Sequence, residues 1–334
     1  MSQDYDFPVE VETSDKPPRR FVFVLLNEFT LFAVASAGEC LRVANRMAGK
    51  HLYRWAITSE TNEPVMSSAG IPFPVDITFD DVTKDDTLIV CGGMNVQANS
   101  TPKTLNWLRR ESRKGATIGS FCAGAHALAK AGLLDGYRAT IHWENQDGFV
   151  EDFPEINLTR SVFAIDRKRF TAAGGTAAID LMLRIIADDH GTDLSNAVAD
   201  QLIYSSIRTD QDFQRLSTPT RMGVRHPRLS IVIEMMEESI EEPISPSALA
   251  ESVNMSTRQL ERLFRRYLDR SPKQYYMELR LARARNLLMQ TNMSTIDIAI
   301  ACGFTSPSHF SKCYRTHYGV TPYRERGSQG TAKS

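Results

Sequence analysis

A cysteine followed by small residues stands where a buried strand is predicted to end. The segment 118–125 reads Ile-Gly-Ser-Phe-Cys-Ala-Gly-Ala, and Cys122 lies where the next predicted helix begins. Small residues permit a sharp turn, and helix N-termini bind anions and stabilise thiolates, so the pattern resembles a nucleophile elbow. Acyl-transfer chemistry would need a histidine partner, for which His126 and His142 are the candidates. The alternative is a small buried cysteine that packs under the turn.

Two helical segments near the C-terminus combine an apolar stripe with a basic face. The first runs from Thr257 to about Leu268, and it follows a short helix over Ala248–Val253 and a turn at Asn254. Its apolar residues are spaced i, i+3, i+4 and i+7: Leu260, Leu263, Phe264 and Tyr267. Its opposite face is mainly basic: Arg258, Glu261, Arg262, Arg265 and Arg266. This arrangement is typical of a helix-turn-helix recognition unit.

The same arrangement recurs about 50 residues further along the chain. A helix over Thr295–Ala301 and a turn at Gly303 precede a helix over residues 307–316, with Phe310 and Tyr314 directed inward. The other faces of this helix are polar: Ser308, His309, Ser311, Lys312 and Arg315.

A predicted helix from about Pro272 to Gln290 joins the two units and spans roughly 28 Å. That spacer sets two recognition helices about one DNA turn, roughly 34 Å, apart. The repeated unit therefore predicts contact with double-stranded DNA.

Charge divides unevenly along the chain of 334 residues, whose formal net charge is −1. Residues 225–334 carry 16 Lys and Arg against 11 Asp and Glu, whereas residues 1–224 carry 23 against 29. Residues 256–326 alone carry 13 basic against 5 acidic side chains. This asymmetry favours a polyanion-binding C-terminal half beside an acidic N-terminal half.

Cysteine spacing and hydropathy argue against several classes of protein. The five cysteines form no CxxC pair and no metal-type spacing with histidine, which favours a reducing compartment over a disulfide framework. No run approaches the roughly 20 apolar residues that cross a bilayer, and the N-terminus lacks the apolar core of a signal peptide. We therefore expect a cytoplasmic protein with no membrane contact, no metal and no cofactor.

Strand and helix patterns alternate through the N-terminal two thirds of the chain. Short apolar runs predict buried strands, among them Phe21–Leu26, Thr87–Val90 and Ala116–Gly119. The alternation predicts an α/β domain with a mostly parallel sheet flanked by helices, ending in a helix over Ala197–Arg215. An all-α domain with two helix-turn-helix units follows.

Interrupted periodicity at residues 217–223 places a linker between the two domains. The predicted division is a disordered tail over residues 1–19, an α/β domain over 20–215, the linker over 216–226, a DNA-binding domain over 227–326, and a disordered tail over 327–334.

The C-terminal segments also resemble a known family. Residues 245–288 and 294–326 are similar to the AraC/XylS family of bacterial regulators, most specifically in the stretches ACGF, SHFSKCYR and GVTPYRER. The resemblance covers about residues 227–326 and implies that one monomer contacts two successive major-groove segments. By matching positions, it implies base contacts from six residues: Arg258, Glu261, Arg262, Ser308, His309 and Lys312. It implies phosphate contacts, which position the protein without reading sequence, from four others: Arg266, Lys273, Arg315 and Thr321.

The N-terminal domain resembles a second family. Residues 119–143 and 171–183, which include GSFCAGAHALAKAG and TAAGGTAAIDLML, look like the ThiJ/PfpI, class I glutamine amidotransferase-like domain. The resemblance implies a flavodoxin-like, amidotransferase-like fold. In the enzymes of that family the elbow cysteine acts with a histidine, and Cys122 and His142 match those positions.

This sequence departs from the enzymes at the residue that usually steadies the cysteine. That residue is acidic and follows the first strand, but its equivalent here is near Ala33, with Glu28 and Glu39 only as neighbours. The residue beside the cysteine is Ala123, where protease-like members have histidine. The departure favours a catalytically inactive domain in which Cys122 and His142 are vestigial.

From about residue 20 onward the chain resembles GlxA-type regulators, most of all activators of arginine, carnitine and glycine-betaine catabolism. We therefore expect the former catalytic pocket to hold a small effector near His142. The amides that follow Cys122, beginning with Ala123, would bind a carboxylate. Three further side chains would meet a cationic or quaternary nitrogen: Phe121, Trp143 and Glu144. Trp143 also fits ordinary core packing.

Three functional hypotheses remain open. The first is a metabolite-responsive transcription regulator, expected to form a homodimer, bind promoter DNA and act with RNA polymerase. The second is a cysteine-dependent hydrolase or amidotransferase-like enzyme that carries a DNA-binding domain. The third is a constitutive DNA-binding protein whose N-terminal domain only dimerises.

Overall fold

The structure is a computed structural model that describes residues 17–214 and 226–328. The chain divides into two compact units, Met1–Gln214 and Arg215–Ser334. The predicted linker over residues 216–226 lies outside the described residues except for His226. No helix within the described ranges is long and apolar enough to span a bilayer.

A six-stranded sheet forms the centre of the N-terminal unit. Its strands are β1 (Arg19–Leu25), β2 (Tyr53–Thr58), β5 (Thr87–Cys91), β6 (Thr117–Phe121), β9 (Phe163–Asp166) and β10 (Arg169–Ala172). They lie in the order β2-β1-β5-β6-β10-β9, and all neighbours are parallel except the hairpin β9–β10. Two short pairs lie outside it: β3 (Val65–Met66) with β4 (Pro72–Phe73), and β7 (Arg138–Ala139) with β8 (Asn157–Leu158).

Within residues 17–214, seven α-helices accompany this sheet: α1 (Leu31–Ala48), α2 (Val96–Asn99), α3 (Pro102–Lys114), α4 (Gly124–Lys130), α5 (Gln146–Asp152), α6 (Ala177–His190) and α7 (Thr192–Gln201). Along β1, Phe21 and Phe23 pack in one apolar cluster with α1, α6 and α7. Val22 and Val24 pack in a second cluster with α3, α4 and α5. The central strands are therefore buried on both faces, and the predicted parallel α/β fold is confirmed.

The C-terminal unit is helical throughout the part that the structure describes. Its helices are α8 (Pro227–Glu238), α9 (Pro246–Ser252), α10 (Thr257–Leu268), α11 (Pro272–Gln290), α12 (Thr295–Ala301), α13 (Pro307–Tyr318) and α14 (Pro322–Ser328). One apolar core joins α8, α9, α10 and the start of α11. A second core joins the end of α11 to α12 and α13. Each predicted helix-turn-helix unit thus has its own core, and the predicted all-α fold is confirmed.

The predicted helix over Ala197–Arg215 is correct only as far as Gln201 and wrong over residues 202–214, while Arg215 lies outside the described residues. The helix in this region, α7, begins at Thr192 and ends at Gln201, and Ile203 then takes a left-handed φ of 55°. Residues 204–214 continue without a helix. At the other end of the unit, β1 begins two residues before the predicted strand, because Arg19 and Arg20 pair with β2.

One residue of the predicted apolar stripe on α10 is also misplaced. Leu260 and Phe264 are fully buried, but Tyr267 is exposed and the buried stripe continues to Leu268 instead. The last turn of α10 therefore directs its tyrosine to solvent.

Candidate functional site

Cys122 lies at a sharp turn between β6 and α4. Its φ is 55°, a left-handed value that is uncommon for a residue with a Cβ. Its backbone N–H donates to the carbonyl of Ala172 at 2.9 Å, which ties the turn to β10. A backbone of this kind persists only where the surrounding structure fixes it. The geometry is that of a nucleophile elbow.

Three glycines allow the chain to pack closely around this elbow. A Cβ on Gly174 would lie 2.7 Å from Cys122 Cβ, and one on Gly124 would lie 2.1 Å from the carbonyl oxygen of Val90. A Cβ on Gly92 would lie 2.5 Å from the backbone nitrogen of Gly124. Since the obstructing atoms belong to backbone or to the cysteine itself, a larger residue at any of these positions would displace the elbow.

The Cys122 thiol is buried and held in its neutral form. Burial raises its pKa, and the negative charge of Glu144 raises it further. The hydroxyl of Thr30, which donates to Sγ at 3.3 Å, and the Ala123 amide favour the thiolate but do not outweigh burial. Because the thiolate is the nucleophilic form of cysteine, this environment does not activate the group.

Thr30, rather than an acidic residue, contacts the thiol, and sequence reasoning did not identify it. Ala33 lies in the apolar core of α1. The Glu28 carboxylate accepts a hydrogen bond from Asn95 at 2.7 Å, and Glu39 pairs with Arg42 on the same helix. A hydroxyl in the loop between β1 and α1 was the available signal, but its distance from Cys122 along the chain conceals the contact.

His142, Trp143 and Glu144 follow β7 and form one continuous segment. The His142 side chain is half-buried, and its Nδ1 accepts a hydrogen bond from the Glu144 N–H at 3.4 Å. The imidazole lies 3.7 Å from the Glu144 carboxylate, and its ring centroid lies 5.5 Å from that of Trp143. Because the Glu144 charge acts on the thiol of Cys122, this segment lies within electrostatic reach of the elbow.

Two other candidates occupy different places. Phe121 is fully buried, with its ring 6.3 Å from that of Phe23 in the core beneath the sheet, so the expectation that it faces an effector is wrong. His126 is buried against α5, 3.6 Å from the Asp152 carboxylate and edge-on to Phe153. Burial lowers the pKa of His126.

In the C-terminal unit, local sequence fixes the two turns that precede α10 and α13. Asn254 and Gly303 take left-handed φ values of 54° and 73°. A Cβ on Gly303 would lie 2.5 Å from the carbonyl oxygen of Ile240, so this turn requires glycine. The hydroxyls of Ser256 and Ser306 then accept hydrogen bonds from the first turns of α10 and α13.

Nine of the ten predicted DNA-contacting side chains are exposed, and Thr321 is partly buried. The exposed ones are Arg258, Glu261, Arg262, Arg266, Lys273, Ser308, His309, Lys312 and Arg315. The opposite face of α13 buries Phe310 and Tyr314 completely. Each recognition helix thus presents its polar residues to solvent while its apolar residues hold it to the unit.

A cleft of 280 Å³ lies between α13 and α14, and sequence reasoning identified only part of it. It is lined by Arg315, Gly319, Val320, Thr321 and Arg324. Glu325, which is buried, accepts from Tyr314 Oη at 2.7 Å and from Arg285 at 2.8 Å, so α14 is fixed to both α13 and α11. Two guanidinium groups beside one cleft make it suitable for a phosphate.

An α/β unit with an elbow cysteine, followed by two helix-turn-helix units with exposed basic faces, defines a DNA-binding transcription regulator. Residues 20–188 match the DJ-1/PfpI family, and residues 249–328 match the family described as a helix-turn-helix domain. The HTH-type transcriptional regulator GbdR of Pseudomonas aeruginosa is 44% identical over 319 residues, covering 96% of this chain and 87% of the relative.

The HTH-type transcriptional regulator GlxA of Rhizobium meliloti is 37% identical over 314 residues, covering 94% of this chain and 97% of the relative. A crystal structure of an AraC family transcriptional regulator from Pseudomonas putida is 28% identical, with a TM-score of 0.51, over 55% of this chain and 100% of that one. The chain belongs to the AraC family of HTH-type transcriptional regulators that carry a DJ-1/PfpI domain. The predicted family and the predicted regulatory function are confirmed.

Proposed function

We propose that this regulator senses a small metabolite, an amino acid or a quaternary amine such as carnitine or glycine betaine, beside the elbow of its DJ-1/PfpI domain. The observation that carries the proposal is the pairing of a strained elbow with a thiol whose pKa is raised. The strained backbone and its three glycines keep the shape of a reactive site. The neutral thiol of Cys122 lacks the activation that turnover requires.

The chemistry of the effector follows from the residues around the elbow. The amide of Ala123, which points toward the thiol, offers a donor to a carboxylate. Trp143 is partly exposed and Glu144 is exposed, so solvent reaches an aromatic side chain and a carboxylate of the kinds that attract a cationic nitrogen. The His142 imidazole is close to both, 5.5 Å from the Trp143 ring between centroids and 3.7 Å from the Glu144 carboxylate. A compound that carries both a carboxylate and a fixed positive charge matches this set.

The proposal also assigns the DNA contacts, from the positions that match the AraC/XylS family and from the exposure of their side chains. Arg258, Glu261 and Arg262 on α10 would read bases in one major-groove segment, and Ser308, His309 and Lys312 on α13 in the next. Arg266, Lys273, Arg315 and Thr321 would contact phosphates, and Arg324 joins them because it lines the same cleft as Arg315 and Thr321.

The remaining features of the proposal concern assembly and output. The regulator acts in the cytoplasm as a homodimer, through residues 20–215 as the sensing domain and residues 227–326 as the DNA-binding domain. On binding its effector, it activates catabolic genes together with RNA polymerase. An effector can shift the protein only by its differential affinity for the two states, so DNA affinity and effector affinity must be linked.

A thermal-shift screen of the full chain tests the sensing proposal. Amino acids, glycine betaine, carnitine and polyamines are added to the wild-type protein and to the Cys122→Ala and Trp143→Ala variants. A bound compound at 100 times its dissociation constant stabilises the folded protein by about 2.7 kcal/mol, which raises the melting temperature visibly. Val150→Ala, which truncates an exposed apolar side chain on α5, is the matched control.

We expect one compound to stabilise the wild-type and Val150→Ala proteins, to act more weakly on the two site variants, and to be recovered chemically unchanged. A compound that is consumed in a Cys122-dependent manner would contradict the proposal in favour of an enzyme. A panel without any stabilising compound would contradict it in favour of a dimerisation module.

A further inference from the structure

The last described segment of the N-terminal unit, residues 208–214, lies against the elements that carry the candidate effector site. We call it the C-terminal strap. The Arg208 side chain donates to the buried carboxylate of Asp180 at 2.9 Å, and Asp210 pairs with Arg138 at 2.9 Å. The Val162 N–H donates to the carbonyl of Asp212 at 2.9 Å, which extends the pairing at β9. The strap is thus fixed along its length although it contains no helix.

Gln214 forms the final attachment of the strap. Its Nε2 donates to the Ile141 carbonyl at 2.8 Å, to Thr140 Oγ1 at 2.9 Å and to the Ser161 carbonyl at 3.1 Å. Its backbone N–H donates to the Arg160 carbonyl at 3.2 Å. The amide nitrogen has two hydrogens and faces three oxygen atoms, so this position requires a donor, and a carboxylate of the same shape cannot replace it.

One connection leads from Gln214 to the effector-binding segment. The Ile141 carbonyl belongs to the peptide bond that precedes His142, and it also lies 3.5 Å from Gln146 Nε2. Gln214 and Gln146 together therefore fix the plane of the peptide from which the imidazole projects. The orientation of His142 toward Glu144 depends on that plane.

A second connection leads from Gln214 to the elbow. The Thr140 N–H donates to Thr171 Oγ1 at 2.7 Å. The next residue of β10, Ala172, accepts the hydrogen bond from the Cys122 N–H at 2.9 Å. Gln214 is therefore connected to both sides of the proposed effector site. Ile141 links it to the segment that begins at His142, and Thr140 links it to the elbow at Cys122.

We infer that Gln214 is a positioning residue for the effector site. We infer further that occupancy of this site changes how firmly Gln214, and with it the end of the chain before the linker, is attached. The inference rests on the proposed function, because the effector itself is proposed. Residue 215 follows Gln214 directly, and the predicted linker to the DNA-binding domain begins at the next residue. An effector that binds more tightly when His142 and the elbow are correctly placed favours the attached state of Gln214. By linkage, the factor by which the effector favours the attached state equals the factor by which attachment of Gln214 strengthens effector binding. Loosening Gln214 should therefore weaken effector binding.

Amide hydrogen exchange on the full chain tests the inference without any effector. Gln214→Glu keeps the shape of the side chain but removes its donors, and Gln214→Ala removes them without adding charge. Gln211→Glu is the matched control, since Gln211 lies in the same strap, is exposed, and makes its described bond through its backbone N–H to Thr209. We expect the amides of residues 140–146 to exchange at least tenfold faster in both Gln214 variants and at the wild-type rate in the control.

Unchanged exchange in both Gln214 variants overturns the inference. If Gln214→Glu does not fold, Gln214→Ala decides the outcome alone. This readout is independent of the proposed function, because it uses no ligand.

Glycine betaine then serves as the probe for coupling, with a DNA duplex selected from a random pool by the wild-type protein. We expect Gln214→Ala to bind glycine betaine at least tenfold more weakly and to lose the effect of glycine betaine on DNA affinity. A Gln214→Ala protein that retains the full effect overturns the inference. A wild-type protein that binds neither glycine betaine nor any compound of the panel contradicts the proposed function, and the exchange result still decides the role of Gln214.

Discussion

The hydroxyl of Thr30 donates a hydrogen bond to the thiol of Cys122 across 92 residues of sequence, at 3.3 Å. A neutral hydroxyl therefore contacts the thiol, whereas the enzymes that this domain resembles usually steady the cysteine with an acidic side chain. A hydroxyl stabilises a thiolate only weakly, and burial of Cys122 outweighs it, so the pKa of the thiol stays above its ordinary value. The relationship explains how the backbone of an elbow can be retained while its thiol stays protonated.

Replacement of Thr30 tests this relationship directly. Thr30→Ala removes a donor that favours the thiolate, so the pKa of Cys122 should rise further and alkylation at pH 8 should slow by roughly threefold or more. The side chain makes no capping bond to α1, so little else is lost. Iodoacetamide labelling of Cys122, followed by mass spectrometry across pH, measures the effect. Thr30→Ser is the control and should keep the wild-type profile; equal profiles for all three proteins would show that the hydroxyl does not act on the thiol.

The buried thiol of Cys40 predicts a loss of stability at alkaline pH. Burial raises its pKa from 9.0 to about 12, so above pH 9 the unfolded chain loses a proton that the folded chain retains. Because the folded state then binds more protons, its stability falls as pH rises, by on the order of 1 kcal/mol between pH 8 and pH 10 for this one group.

Urea unfolding of the wild-type and Cys40→Ala proteins at both pH values isolates that contribution. The variant should lose less stability than the wild type over the interval, by on the order of 1 kcal/mol. Equal losses in the two proteins would mean that Cys40 ionises in the folded state as readily as in the unfolded chain.

The glycine pair after β10 predicts a difference between two neighbouring substitutions. Gly174 and Gly175 both have positive φ, but a Cβ on Gly174 would lie 2.7 Å from Cys122 Cβ, whereas none would meet an atom within 4 Å at Gly175. Gly175→Ala should therefore cost about 1–2 kcal/mol from backbone strain alone. Gly174→Ala should cost about 1–3 kcal/mol more, because the elbow must move. Urea unfolding measures both losses in the free energy of unfolding. Equal losses for the two variants would show that the elbow can move without an energetic cost.

Arg262 and Arg324 should affect DNA binding in two distinguishable ways. Arg262→Ala should relax discrimination at one base pair, by about 1–3 kcal/mol, since a base contact is lost. Arg324→Ala should weaken binding to selected and scrambled duplexes equally and reduce the slope of log affinity against log salt by about one. Fluorescence anisotropy on duplex panels at several salt concentrations measures both.

Arg184→Ala, which removes an arginine paired with Asp188 on α6, is the control for both variants. It should leave both discrimination and salt slope unchanged. If Arg324→Ala leaves the slope of log affinity against log salt unchanged, the cleft between α13 and α14 does not contact DNA phosphates.

Much of the architecture followed from local sequence because the physical signals are local. Apolar runs such as Thr87–Val90 are buried on both faces, and the hydroxyl caps at Ser256 and Ser306 open both recognition helices. The helical prediction failed over residues 202–214 because the strap is held by contacts to distant residues, among them Asp180, rather than by helical hydrogen bonds.

The site was predicted less completely for the same reason. Cys122 and its turn are visible in the sequence, since small residues surround the cysteine. Thr30 and Gln214 are not, because their side chains meet their partners across 53 or more residues and belong to no periodic pattern. Phe121 was misplaced because periodicity cannot decide which face of a doubly buried strand its last residue joins.

The effect of an effector on DNA affinity tests the central claim most directly. Anisotropy titrations of a selected duplex, with and without saturating glycine betaine, carnitine or arginine, compare the wild-type protein with Trp143→Ala and Val150→Ala. We predict that one compound changes the DNA affinity of the wild-type and Val150→Ala proteins by about 5-fold or more, and that Trp143→Ala loses this response. A DNA affinity that none of the compounds changes would contradict the claim that the DJ-1/PfpI domain is the sensor for these metabolites.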